Sequence, residues 1–286
     1  MRADQIVHSV DRGVLMARIC RIAWFVLLTL SIVLGPALGS SVAVTIQVLL
    51  FLAMWIGLTA GGMRQSRVAM QWPTMIAQGQ IEQAEEQIDA ALRGFTVLAS
   101  VKLLGLHHLA RIRLGQKRWA DAATLSRGLL RHPLRTLPGL SAASYQILAE
   151  ASMRLNDLSG AFVALQHLRR QKLSLDQSQG VLLLETVYLA RIGAWPSLMD
   201  GIKSKLRLAE LMPADGAALT QGLLAVAAQR RGHEDWATYL RSRCDLLTDM
   251  PRLAVDEICL QTIWPPAAPR LEVTPPAQAS QEPPSC

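Results

Sequence analysis

Charged residues are missing from one long stretch of this sequence, between Ile22 and Met63. A bilayer core requires about 20 apolar residues for each spanning helix, and this stretch contains roughly two such lengths. Gly35-Pro36 lies near its middle, where a turn is expected. The sequence therefore predicts a transmembrane hairpin, with a first span at 22–38 and a second at 42–58.

The sequence also lacks the motifs of common catalytic sites. It contains no G-x-x-x-x-G-K-[ST] phosphate loop, no strand followed by G-x-G-x-x-G, no H-E-x-x-H and no G-x-S-x-G. His107 and His108 are adjacent, so on a helix they would point about 100° apart and could not easily share a metal ion. We therefore expect no catalytic residue, no cofactor and no metal site, although an enzyme without a recognisable motif is an alternative.

Cysteine pairs and strand-forming runs are scarce as well. The four cysteines form no C-x-x-C pair, which argues against a zinc ribbon and is typical of reduced thiols. After the hairpin the sequence is rich in Leu, Ala, Gln and Arg and poor in runs of Val, Ile, Tyr and Phe. The first set favours helices and the second favours strands, so we expect an all-α protein.

Basic and aromatic residues frame the apolar stretch on both sides, while the connecting loop carries no charge. Lys and Arg mark the cytoplasmic flanks of membrane helices, and Trp favours the interface. We therefore expect a basic cytoplasmic N-terminus at 1–21, a cytoplasmic domain after the hairpin, and a bacterial inner membrane as the location. A signal peptide cleaved after Ala37 to Gly39 is the alternative. The predicted interface anchors are Arg18, Arg21, Trp24, Trp55, Arg64 and Arg67.

A repeat follows the hairpin. Five segments each combine a helix end, a short turn, a large apolar residue and a second helix. The apolar residues are Ile81, Trp119, Leu158, Trp195 and Trp236, spaced 38, 39, 37 and 41 residues apart. In most of the five a small residue follows two or three positions later, and it would let the two helices of a hairpin touch. These following residues are Ala84, Ala122, Ala161 and Thr238, with Leu198 in the fourth segment.

This pattern resembles the tetratricopeptide repeat, a unit of two antiparallel helices about 34 residues long. The first segment carries the resemblance through Gly79, Ile81, Ala84 and Ala91; the second through Leu109-Ala110, Trp119 and Ala122; the third through Tyr145, Leu148-Ala149, Leu158 and Ala161. The resemblance covers roughly residues 65–248 and implies an α-solenoid of about five units. A different helix-turn-helix solenoid is the alternative.

The resemblance also implies a binding surface. In the tetratricopeptide family the first helices of the units line a concave groove that binds partner peptides. The corresponding polar residues here are His107, Arg111, Gln146, Glu150 and Arg154. We therefore expect a membrane-anchored scaffold or adaptor that binds a protein partner; the alternative is that these are ordinary solvated side chains.

Two further features complete the sequence. The net charge is +7, and between Arg93 and Arg135 nine basic residues face one acid, Asp121. Such a surface could meet anionic lipid, as in a lipid-surface or membrane-remodelling protein, or an acidic protein; nucleic acid is an unlikely partner.

Residues 249–286 are expected to form a tail that is Pro-rich and disordered from Pro265.

Overall fold

The computed structural model describes residues 2–34, 41–94, 96, 98–134, 137 and 139–265. Within these ranges the regular structure is entirely helical, without a strand, which confirms the expected all-α class. The chain divides into two compact units, Met1–Tyr188 and Leu189–Cys286.

The first unit opens with two long helices, α1 (Ala3–Leu34) and α2 (Ser41–Ala69). Both are long enough and apolar enough to span a membrane, as the uncharged stretch predicts. They run antiparallel, since the indoles of Trp24 and Trp55 stack with centroids 5.7 Å apart, and Gln47 Nε2 donates to Ser31 Oγ at 3.1 Å. The predicted turn near Gly35-Pro36 lies outside the described residues.

Shorter helices complete the first unit. They are α3 (Trp72–Ala77), α4 (Ile81–Arg93), α5 (Ala99–Gly115), α6 (Trp119–Leu130), α7 (Leu140–Arg154), α8 (Leu158–Arg169) and α9 (Leu175–Arg191), whose last residues belong to the second unit. Successive helices from α3 to α8 pack against one another. The core is formed by residues that are fully buried, among them Ile88, Leu106, Leu125 and Leu168.

Helix α1 has two different halves. From its start to Ala17 one face is buried against α4, α5 and α6, and the buried residues include Ile6, Val7 and Val10. From Arg18 onward most side chains are exposed, including Ile22 and Phe25. The basic segment 1–21 is therefore largely helical and continuous with the first apolar span.

The five predicted repeat turns share one backbone geometry. In each, one residue adopts a left-handed conformation, with φ between 59° and 78°: Gly79, Lys117, Asn156, Gly193 and Gly232. The N–H of this residue donates to the carbonyl three residues back, at 3.0–3.1 Å. The next N–H donates to the carbonyl five residues back, at 2.8–2.9 Å. This is the Schellman arrangement, which satisfies the free carbonyls at a helix end.

The second unit contains α10 (Trp195–Met199), α11 (Ile202–Ala209), α12 (Ala214–Arg230), α13 (Glu234–Leu247) and α14 (Met250–Asp256), followed by a 3-10 helix at Ile258–Thr262. Helix α12 is its centre and is buried from Thr220 to Ala228. Gly222 allows a close approach, because a Cβ there would lie 2.8 Å from Met250 Cε and 3.1 Å from Leu260 Cδ2.

Two details of the repeat differ from the sequence interpretation. In the fifth segment the buried small residue is Ala237, whereas Thr238 is exposed. The second helices then start at residues 81, 119, 158, 195 and 234, which are 37 to 39 residues apart. Residues 249–264, assigned above to the tail, contain α14 and the 3-10 helix, and they bury Leu260 and Trp264. Residues 266–286, where disorder was expected, lie outside the described residues.

Candidate functional site

The predicted groove residues come from two neighbouring helices, α5 and α7. His107 is on α5 and is buried; its Nδ1 lies 3.4 Å from Ser144 Oγ on α7. The Ser144 hydroxyl also donates to Leu140 O at 2.7 Å. His107 therefore belongs to the helix–helix contact, and it is not available to an external partner.

The other four predicted groove residues differ in how much they are already engaged. Arg111 is exposed at the end of α5. Gln146 is half-buried, and its amide donates to Gln177 O at the start of α9, at 2.8 Å. Glu150 is also half-buried, and the guanidinium of half-buried Arg154 lies 5.9 Å from the ring centroid of Trp119. Arg111 is thus the most accessible of the five.

Arg154 has a counterpart in the second unit. There the guanidinium of Arg230, the last residue of α12, lies 5.9 Å from the ring centroid of Trp195. In both cases an arginine at the end of a first helix covers the aromatic residue that starts the preceding second helix. A cation over an indole face is attractive by about 0.5–1 kcal/mol at an exposed site. Arg154 therefore has a structural role in joining repeat units.

Two buried histidines lie between the repeat helices and α3. Burial lowers the pKa of His107 to about 3 and that of His108 to about 4, and the positive charge of Arg111 adds to both effects. The His108 ring meets the fully buried indole of Trp72 edge to face, with centroids 6.1 Å apart. Both histidines are therefore neutral at pH 7 and act as part of the core. The described residues contain no cluster of three or more His, Cys, Asp or Glu side chains that could hold a metal ion.

The basic region 93–135 is less available than its sequence suggests. Lys102 and Arg113 are buried, and Arg113 forms a two-pronged ion pair with Glu85 on α4. Lys102 Nζ donates to Leu92 O at 3.1 Å, and burial lowers its pKa. Three more of the nine basic residues pair with carboxylates: Arg93 with Asp89, Arg118 with Asp121, and Arg127 with Asp157. Much of this charge therefore stabilises the fold.

The predicted interface anchors are arranged in levels along the hairpin. Trp24 and Trp55 are half-buried and stacked on each other, and Phe51 meets Trp24 edge to face at 5.0 Å. Arg21 and Arg18 are exposed on α1, roughly one and two turns below this aromatic level. Beyond it the two helices expose a continuous apolar surface, which includes Val33, Ile46, Leu49 and Leu50. On α2, Arg64 and Arg67 are exposed on the side of the helical body.

A second candidate surface was missed from the sequence. In the second unit, α11 and α13 enclose a pocket of about 490 Å³ lined by Trp236, Tyr239, Arg207 and Arg243. Arg243 is fixed there, because its guanidinium donates to Glu210 at 3.0 Å and to the Tyr239 hydroxyl at 2.9 Å. The aromatic residues of this pocket, Trp236 and Tyr239, are three positions apart on α13. This helical spacing could have indicated that they share a face.

Comparison of this chain with protein families, characterised proteins and solved structures finds no match.

Proposed function

We propose that this protein is a membrane-anchored, tetratricopeptide-like scaffold whose helical domain lies in the cytoplasm and binds a protein partner. The observation that carries the proposal is the continuity of α1, which has a buried amphipathic half and an exposed apolar half in one helix. Apolar side chains exposed all round a helix are expected where lipid covers them. The same helix thus ties the domain to a bilayer.

The repeat geometry supports the binding part of this proposal. Five turns of one conformation, with second helices starting 37 to 39 residues apart, are typical of stacked helical hairpins. Such stacks act by presenting an extended surface rather than by making bonds. Exposed Arg111 marks a candidate contact point in the first unit, and the pocket beside Trp236 and Tyr239 marks a separate candidate in the second unit.

The lipid-surface alternative is weaker, because the burial of Lys102 and Arg113 removes two charges from the region 93–135. An enzyme remains the third hypothesis. A scaffold is expected to lose partner binding gradually when single groove residues are changed, whereas an enzyme would lose activity through one residue.

Topology and partner contact can be tested on the full chain. Reporters that are active only in the periplasm or only in the cytoplasm are fused after Arg67 and after Leu247. We expect cytoplasmic signals at both positions and resistance of the protein to alkaline extraction from membranes. A photo-crosslinker at Arg111 should then give a discrete protein adduct in cells, while one at exposed Arg170 serves as the control. Periplasmic signals, or equal adducts from both positions, would contradict the proposal.

A further inference from the structure

A pocket of about 460 Å³ lies where α1 leaves the helical domain. Arg18 and Arg21 line it from α1, and Leu98, Ser100 and Leu103 line it from the start of α5 and the residue before it. Its volume is within the range of about 300–1,000 Å³ that is usual for small-ligand sites. The pocket is therefore large enough for a charged headgroup.

The charge of this pocket is of one sign. Two arginines and His132 are among its described lining residues, and no carboxylate is among them. Neither arginine forms an ion pair with a described residue; the guanidinium of Arg21 donates only to its own helix, at Ala17 O, 3.3 Å away. His132 Nε2 lies 2.9 Å from Asp11 Oδ1, so a carboxylate stands beside this lining residue. Among the described residues, the two guanidinium groups thus have no anionic partner.

The position of the pocket decides which anion fits. Arg21 precedes Trp24 by three residues, so it lies about 4.5 Å nearer the helical domain along α1. Tryptophan side chains mark the level of lipid headgroups. Directly beyond Arg21, α1 exposes Ile22, Phe25 and Val26, which offer an apolar surface to acyl chains. A free phosphate would use the arginines only, whereas a phospholipid would use both features.

We propose that this pocket binds the headgroup of an anionic phospholipid, with its phosphate held between Arg18 and Arg21 and its acyl chains along the exposed face of α1. The inference depends on the membrane anchoring proposed above. The two arginines of this site are not part of the basic region 93–135, because both precede that region. Arginine suits this role, since its planar fork donates two parallel hydrogen bonds to phosphate oxygens.

The test uses the full chain in nanodiscs of phosphatidylcholine, with or without phosphatidylglycerol. After release into neutral detergent, native mass spectrometry measures the lipid that each protein molecule retains. We expect retention of phosphatidylglycerol over phosphatidylcholine. Each basic residue near an anionic surface contributes about fivefold in binding, so Arg18→Gln with Arg21→Gln should weaken retention about 25-fold.

Two further variants separate a built pocket from general positive charge. Arg64→Gln with Arg67→Gln removes the same charge from the other flank of the hairpin, so its loss of retention should be much smaller than the roughly 25-fold loss of the pocket pair. Ser100→Phe keeps every charge but fills the pocket, so it should abolish retention even if the arginine variant inserts poorly. Equal losses in both arginine pairs, or full retention in Ser100→Phe, would overturn the inference.

Soluble glycerol phosphate is the last arm of the experiment. If it displaces phosphatidylglycerol completely at low concentration, the site is a phosphate site and the lipid assignment is wrong. If the chain incorporates into nanodiscs but retains no anionic lipid, this inference fails while the anchoring stands. If alkaline treatment extracts the chain from membranes, both fail.

Discussion

The close approach of α1 to α6 gives a prediction whose sign depends on one partner residue. At Gly128 an added Cβ would lie 2.6 Å from Val7 Cγ2 and 2.7 Å from Val7 Cγ1. Gly128→Ala therefore has two opposite effects. Alanine is favoured over glycine in a helix interior by about 1 kcal/mol, while forcing extra volume into this contact costs about 2 kcal/mol. The net expectation is destabilisation by about 1 kcal/mol.

Removing the Val7 methyl groups should reverse the effect of Gly128→Ala on stability. Val7→Ala by itself costs about 2 kcal/mol, because the side chain is 7% exposed and its burial is lost. In this background the two Cγ atoms are gone and only the Cβ at position 7 remains close, at 3.2 Å. Gly128→Ala should then stabilise the protein by up to about 1 kcal/mol. The expected coupling between the two positions is then about 2 kcal/mol, which is within the range for residues in contact.

Equilibrium unfolding of the four proteins in one detergent, followed by circular dichroism, measures this coupling. The detergent-embedded hairpin is common to all four and cancels in the comparison. If Gly128→Ala has the same effect with Val7 and with Ala at position 7, α1 does not pack on α6, and the start of the chain is a separate segment.

Two other perturbations test the interior of the first unit. Glu85→Gln leaves the buried Arg113 guanidinium without its carboxylate and should lower the unfolding free energy by about 2 kcal/mol. Asp89→Asn in an exposed pair is the control and should lower it by less than about 1 kcal/mol. Thermal unfolding at low and high salt compares the two variants. The pKa of His107 is about 3 in the folded protein and about 6.5 in the unfolded chain. The unfolded chain therefore binds more protons between these pH values. As a result, stability falls as the pH falls below about 6.5. At pH 5 this loss is about 2 kcal/mol for His107. His108, with a pKa of about 4, contributes a similar loss, so His107→Gln should remove about half of the pH dependence of unfolding. An unchanged pH profile in that variant would contradict the assignment.

Features with a local cause could be predicted from the sequence. The uncharged stretch predicted the two long apolar helices, because a run of that length and composition is typical of helices that can span a membrane. The turns also have local causes, because Gly79, Gly193 and Gly232 readily adopt positive φ and Asn156 tolerates it. Lys117 adopts the same conformation with no such preference. Its turn was found only because Trp119 and Ala122 repeat the pattern of the other segments.

The burial and partners of polar side chains depend on tertiary packing, and they were not predicted from the sequence. His107 is polar and stands at a position that the tetratricopeptide resemblance assigns to the groove, yet Ser144 and α7 cover it. Lys102 and Arg113 were counted as surface charge, although each is buried and has a specific partner on α4: Leu92 O for Lys102 and the Glu85 carboxylate for Arg113. Sequence alone shows a charge but not the carbonyl or carboxylate that neutralises it. Only the packing of α4 against α5 supplies that information.

The packing of α1 against the shorter helices could have been predicted from its apolar residues, but the charged residues between them hid the pattern. Ala3, Ile6, Val7, Val10 and Ala17 are buried and recur at helical spacing, but Asp4, Asp11 and Arg12 lie between them. Reading the segment by its arginines suggested a basic extension in front of the membrane. Reading it by its apolar positions would have indicated an amphipathic helix that needs a partner, and α4 to α6 provide that partner.

This docking changes what the anchor does. A scaffold joined to its hairpin by a flexible linker could sample many distances and orientations relative to the membrane. Here α1 passes from exposed Ile22 to buried Ala17 without a break, and α2 approaches α5 so closely that a Cβ at Gly62 would lie 3.0 Å from Leu98 Cγ. Two uninterrupted helices therefore fix the shorter helices of the first unit relative to the hairpin. Under the proposed function, a partner bound near Arg111 would be held at a set height above the lipid, and the hairpin would define the geometry of binding as well as the location.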